Sequence, residues 1–268
     1  MKLIEAIMTE NPCYKAGRKI TVQGLMLHSV GCPQPSAQAF IKSWNSPTYT
    51  NACVHGFIDG NTGEVYQTLP WNARGWHCGS GSKGSANNTH IGVEMCEPAC
   101  IKYTGGATFT CSDLNTARAS VSKTYEAAVE LFAMLCEKFG LDPLADGVII
   151  SHAEGHARGV ASNHGDPEHL WKQLDMPFTM NSFRQAVRAA MDNKAAESED
   201  QKMQEKRFNT IAELPGYAQP TITKLVEKKY LTGYGTAQDA NGKPADLNLS
   251  EDMVRMLVIL DRAGNFDA

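Results

Sequence analysis

The chain predicts an α/β fold, one sheet with helices packed on it, followed by a small, mainly helical module. Three observations carry that expectation. Short apolar runs suited to strands alternate with long amphipathic segments over roughly the first 190 residues. All eight histidines fall between residues 28 and 169, and all eight cysteines precede residue 140. Between residues 192 and 207, nine of 16 residues are charged and none is aromatic, after which apolar periodicity returns. The boundaries read from this are a domain over 1–191, a charged linker over 192–207 and a module over 208–268.

The elements follow in order. Lys19 to Val30 reads as a strand, with Ile20, Val22, Leu25 and Leu27, ending near His28 before Gly31 and Pro33. A short helix is expected from Ser36 through Trp44. The stretches 52–58 and 64–69 pair as a hairpin, because Asp59-Gly60-Asn61-Thr62-Gly63 between them is strong turn chemistry. A Gly/Ser/Asn-rich loop over 79–89 precedes a strand over 91–96. Val121, Tyr125, Ala128, Phe132, Leu135 and Phe139 recur at helical spacing, so a long helix spans about Asp113 to Phe139. Val148-Ile149-Ile150 is a buried strand that delivers Ser151 and His152. A helix over Asn181 to Met191 closes the domain. In the module, helices are expected over Tyr217–Lys229 and over Glu251–Arg262, the latter capped by Ser250 and ended by Gly264.

Composition excludes several functions. The net charge is −4, so no basic field exists to hold nucleic acid. No apolar run approaches the roughly 20 residues that span a bilayer, so no membrane insertion is expected. Glu5 and Glu10 interrupt the apolar residues of the N-terminal stretch, which fails as a signal peptide. The expectation is a protein stored in a cytoplasm, with its cysteines mostly reduced.

Three elements end in residues suited to one metal: the strand ending at His28, the strand delivering His152, and the loop containing Asp166. Two imidazoles and one carboxylate, with a fourth position left to water, is how a catalytic zinc is held. His152-Ala153-Glu154-Gly155-His156 imitates the helical H-E-x-x-H of zinc proteases, but its glutamate is one place late. Gly155 and Gly159 also disfavour a helix there.

Four motifs occur together in order: Leu25-Met26-Leu27-His28-Ser29, Arg74-Gly75-Trp76-His77-Cys78-Gly79, Asn88-Thr89-His90-Ile91-Gly92-Val93-Glu94, and Ser151-His152 followed by His164-Gly165-Asp166-Pro167. Over about residues 15 to 190 the chain resembles the zinc-dependent N-acetylmuramoyl-L-alanine amidases of the amidase-2 type, relatives of the peptidoglycan recognition proteins. The resemblance implies a mixed sheet of about six strands flanked by helices, with zinc in a groove on one face. It implies His28, His152 and Asp166 as zinc ligands and Glu94 as the general base toward the activated water. His164 falls where many relatives carry a lysine that stabilises the oxyanion. His77 and Arg74 are expected to line the groove, with Trp71 and Trp76 as candidates for stacking on a sugar and the 80–89 loop bordering the cleft.

The C-terminal segment resembles a single S-layer-homology-like repeat, through Tyr217-Ala218, Leu225-Val226, Leu231-Thr232-Gly233-Tyr234-Gly235, Asn248-Leu249-Ser250 and Met256-Leu257. That resemblance implies binding to a cell-wall polymer, with homodimerisation as the alternative. The whole chain then reads as a phage or prophage endolysin that hydrolyses peptidoglycan between N-acetylmuramic acid and L-alanine. It would wait in the host cytoplasm until a holin opens the membrane. The alternatives are a non-catalytic recognition module and a zinc endopeptidase acting within stem peptides.

Overall fold

The computed structural model describes residues 1–267, and side chains throughout except those of 195–205. The chain divides into two compact units, Met1–Met191 and Asp192–Ala268. The strands of the first are β1 (Leu3–Glu5), β2 (Gly24–Ser29), β3 (Gly56–Ile58), β4 (Val65–Gln67), β5 (His90–Met95), β6 (Ile101–Gly105), β7 (Thr108–Cys111) and β8 (Ile149–Ser151). Its helices are α1 (Pro12–Lys15), α2 (Ala37–Trp44), α3 (Leu114–Phe139), α4 (His152–Ala157), α5 (Glu168–Gln173) and α6 (Met180–Glu205).

Six strands form one mixed sheet in the order β1-β4-β3-β5-β2-β8. β2 lies between β5 and β8, parallel to both, whereas β3 and β4 form the antiparallel hairpin expected around the Asp59–Gly63 turn. Side chains alternate between faces along a strand. Leu25 and Leu27 of β2, Ile91, Val93 and Met95 of β5, and Ile149 of β8 join the core that α3 covers. Met26 and Ile150 point into a separate apolar cluster on the opposite face. That opposite face is where His28 and Glu94, direct partners in the β2–β5 register, project.

The long helix forms as its spacing predicts. Asp113 caps α3 by accepting from the Thr116 amide, a contribution of about 1 kcal/mol. Val121, Ala128, Phe132 and Leu135 are buried against the sheet.

Several expectations are corrected. The first strand starts at Gly24, not Lys19, because the residues before it run beside the Asn72–Ala73 segment, meeting it through one isolated bridge. A hairpin, β6–β7, follows the fifth strand and carries a register shift between Tyr103 and Gly105; mixed Thr, Gly and Lys content concealed it. His152–Ala157 is helical despite Gly155. Ser151 and Glu154 form a capping box at its start, and Arg184 pairs with Glu154 at 3.0 Å. Gly155 packs closely there, with a Cβ position 2.8 Å from the Met26 methyl and 3.1 Å from the Ala161 methyl.

The cysteines are not all free: Cys13 and Cys53 form a disulfide, with Cα atoms 6.4 Å apart. Asn11 brings them together, its side-chain amide donating to the Trp44 and Ala52 carbonyls at 3.0 and 3.3 Å. The thiols of Cys32, Cys78, Cys96, Cys100, Cys111 and Cys136 remain free.

The helix expected over Asn181–Met191 continues through the charged run to Glu205. In the second unit, β9 (Arg207–Phe208) pairs antiparallel with β10 (Leu249–Ser250), and α7 (Gln219–Glu227) and α8 (Glu251–Arg262) enclose a small core. Ala218, Ile222, Leu225, Leu247 and Val254 form its centre. Met256 and Ile259 of α8 remain 64% and 65% exposed, an apolar face that the unit does not cover.

The Cys13–Cys53 bridge spans 40 positions of sequence. Loop-closure entropy for that span predicts a loss of about 4 kcal/mol in a Cys13→Ser/Cys53→Ser variant. Denaturant unfolding without reductant checks this; equal midpoints for the variant and the oxidised parent would contradict it.

Candidate metal centre and cleft

His28 is the penultimate residue of β2, His152 begins α4 directly after β8, and Asp166 lies in the loop before α5. Because β2 and β8 are adjacent and parallel, their C-terminal ends bring the two histidines together. Their Nδ1 atoms are 3.1 Å apart. Asp166 Oδ2 is 3.2 Å from His28 Nδ1, and its Oδ1 is 3.5 Å from His152 Nδ1. All three residues are buried.

The surrounding hydrogen bonds assign the protons. His77 Nε2 is 3.2 Å from the His90 carbonyl, which only accepts, so that nitrogen carries hydrogen. Burial, reinforced by the neighbouring His28 and His55 rings, holds His77 well below the ordinary histidine range, so the ring is neutral. Its Nδ1 therefore accepts, and His28 Nε2 donates to it at 3.0 Å. This leaves His28 Nδ1 an unprotonated lone pair, with burial lowering the pKa of His28 as well. Gly92 makes the chain possible, since a Cβ there would lie 2.4 Å from the His77 ring.

His152 is treated the same way. Ser162 Oγ donates to the Cys78 carbonyl at 3.2 Å, so it accepts from His152 Nε2 at 3.2 Å. His164 Nδ1 is also 3.2 Å from that nitrogen. Two lone pairs and a carboxylate thus converge on one point. They cannot satisfy one another by hydrogen bonding, and a cation between them would satisfy all three. A tetrahedral N/O site with ligand distances of about 2.0–2.1 Å has edges of about 3.4 Å, which the observed separations match.

Glu94 projects on the same face beside His28. Its Oε2 is buried and has no hydrogen-bond partner among the described residues. Burial, with added repulsion from Asp166 and Glu97, pushes its carboxyl well above the ordinary range. His164 lines a cavity of about 570 Å³ together with Asp166, Asn163, Tyr103 and His169. With Nδ1 turned to His152, His164 has Nε2 left to act as a donor.

His77 and Arg74 do not line that cavity. His77 is 8% exposed and spends both ring nitrogens behind His28. Arg74 donates to Asn88 at 2.7 Å and lies over the Trp76 ring. Trp71 is buried, while Trp76 is 41% exposed. His156 of the H-E-x-x-H imitation does not join the cluster; its Nδ1 lies 3.4 Å from the Ala161 carbonyl. Sequence reasoning missed Glu97, Tyr103 and His169, because no spacing rule links a residue after β5 to a hairpin and a later helix.

Fold and site together define a mixed α/β-sheet protein with a histidine–histidine–carboxylate cluster that could hold a metal ion, its histidines delivered by two adjacent parallel strands. Residues 17–169 match the N-acetylmuramoyl-L-alanine amidase family, and the chain belongs to it. Among relatives, it is 39% identical over 80 residues to the N-acetylmuramoyl-L-alanine amidase XlyA of Bacillus subtilis, covering 30% of this chain and 25% of that protein. It is 34% identical over 80 residues to CwlH of the same organism, an N-acetylmuramoyl-L-alanine amidase, covering 30% of each. The chain thus spans less than a third of the length of these relatives. In fold it is similar to the Staphylococcus aureus hydrolase AmiA solved with its ligand, with a TM-score of 0.54 at 17% identity, covering 73% of this chain and 86% of that one. The sheet of six strands with flanking helices is the architecture the sequence led us to expect.

The proton assignment carries a prediction. His77→Phe keeps an aromatic ring but removes the acceptor for His28 Nε2–H, so zinc affinity should fall roughly 10- to 100-fold with the fold retained. Chelator competition alongside circular dichroism measures both; unchanged affinity would remove His77 from this role.

Proposed function

We propose that this chain is a zinc-dependent amidase that hydrolyses peptidoglycan between the lactyl carbonyl of N-acetylmuramic acid and L-alanine. The observation that carries the reading is the convergence of His28 Nδ1, His152 Nδ1 and Asp166, with Glu94 on the same sheet face holding a buried Oε2 that has no hydrogen-bond partner among the described residues. Family membership supports the bond type. Zinc held by those three residues would supply the positive charge that acidifies water and polarises the scissile carbonyl.

The chain's own residues do the rest. Glu94 takes the proton from the attacking water on its unpartnered oxygen and passes it to the leaving amine of L-alanine. Burial and the nearby Asp166 and Glu97 raise its proton affinity, which favours its taking up the proton. His164 donates Nε2–H to the carbonyl oxygen as negative charge develops there. Histidine in the position of a lysine still offers an N–H donor there.

The wider role we infer is that of a phage- or prophage-type endolysin, released from the host cytoplasm onto the wall. The Cys13–Cys53 disulfide is consistent with action outside a reducing compartment. The second unit is assigned to holding the enzyme on a wall polymer. Supporting this, Tyr217, Tyr230 and Tyr234 are 48%, 58% and 77% exposed, and aromatic faces suit sugar rings.

Digestion of purified walls tests the activity. New L-alanine amino termini without new reducing sugars are expected; termini of other residues would indicate an endopeptidase, and no new termini a recognition module. Glu94→Gln should lower turnover by about 10² or more with zinc retained. His164→Ala should lower kcat more than it changes KM. Near-normal kcat in either variant removes that residue from the mechanism. A chain ending at Met191 should keep cleaving soluble muropeptides and bind whole walls more weakly; equal wall binding in a pull-down would deny the second unit its role.

A further inference from the structure

The cavity beside the metal-ligand cluster carries a hydrogen-bonded chain that the reaction above leaves unused. Glu97, just after β5, is fully buried, and its Oε1 accepts from the Gly31 amide at 3.0 Å. The Tyr103 hydroxyl donates to its Oε2 at 2.8 Å. The same hydroxyl lies 2.7 Å from His169 Nε2. Tyr103 comes from β6 and His169 from α5, so three separate elements converge on one wall, and both rings line the cavity.

The donors and acceptors can be counted. Burial and the Glu97 charge drive the Tyr103 pKa upward, so it stays a phenol with one hydrogen. When Glu97 is ionised, that hydrogen goes to Glu97. Burial lowers the pKa of His169, so its ring is neutral and gives Nε2–H to the phenol oxygen. His169 Nδ1 has no partner among the described residues, as an unprotonated nitrogen can tolerate. What the hydroxyl has left to offer is acceptor capacity. Among the described residues lining the cavity none is Lys or Arg, while Asp166 is one of them and Glu97 stands behind Tyr103. At Tyr103 the wall therefore offers an oxygen that can accept an N–H group and has no hydrogen left to give a carboxylate.

We propose that Tyr103, oriented by Glu97 and His169, is a specificity-determining residue that reads an N–H donor on the substrate group entering this cavity and discriminates against a free carboxylate. The inference rests on the amidase reading for its substrate class. A carboxamide and an ammonium share the recognised chemistry, and separate arms of one experiment distinguish them.

Two pairs of soluble muropeptides serve as probes. One pair differs only in a stem carboxyl that is free or amidated; the other differs only in a side-chain amine that is free or acetylated. Hydrolysis is followed at about pH 8, above the value of about 7 to which burial pushes Glu97. The wild-type protein should favour the amidated or the free-amine member through KM, by about tenfold, with similar kcat. Tyr103→Phe should shrink that ratio below about threefold while leaving kcat on the disfavoured member unchanged. Glu97→Gln, which keeps the volume but can donate to the phenol oxygen, should lose the discrimination as well. Calorimetric binding of the same pairs reads the preference without turnover. Cleavage of no muropeptide defeats the amidase reading, whereas equal affinity within both pairs overturns the role of Tyr103. An undiminished ratio in both variants, or an equal fall in kcat on every substrate, overturns it too.

Discussion

Two imidazole lone pairs and a carboxylate held 3.1–3.5 Å apart repel one another unless something positive lies between them. The larger unit is organised around maintaining that arrangement. β2 is buried along its whole length and fixed on both sides by parallel partners, so His28 has little freedom to retreat. The His90 carbonyl, His77 and His28 form a directed chain that keeps hydrogen away from His28 Nδ1. The Cys78 carbonyl and Ser162 do the same for His152. Protons compete for the same space as a metal, so acid weakens cation binding at such a site.

Carboxylates close to that point are given different tasks by their surroundings. Asp166 faces the two rings and is suited to ligation. Glu94 has a buried oxygen with no hydrogen-bond partner among the described residues, which leaves it open to take up a proton. Burial raises the pKa of Glu97, but Gly31 and Tyr103 occupy its oxygens, so it orients a neighbour. Environment, more than residue type, separates the three.

Much of this was legible in the chain because it depends on local pattern. The turn at Asp59–Gly63, the spacing of α3 and the polar residues at the ends of β2 and β8 each follow a rule of periodicity or turn chemistry. His28, His152 and Asp166 were named from the ordered motifs, and the adjacent parallel strands β2 and β8 account for how the two histidines meet. What escaped depends on packing between distant segments. His77 reads as a groove residue until Gly92 is seen to admit its ring behind His28. Gly155 argues against a helix until Met26 is found against it and a capping box before it. The Cys13–Cys53 pair needed the Asn11 contacts, which no spacing announces.

The central claim is that the cluster is a preformed site for zinc built only from nitrogen and oxygen, in a chain that also holds eight cysteines. X-ray absorption at the zinc edge of the purified full-length protein tests it most directly. The account predicts N/O neighbours at about 2.0–2.1 Å with the outer-shell signature of two imidazoles. A sulfur neighbour at about 2.3 Å, or an absorption spectrum without imidazole scattering, would contradict it.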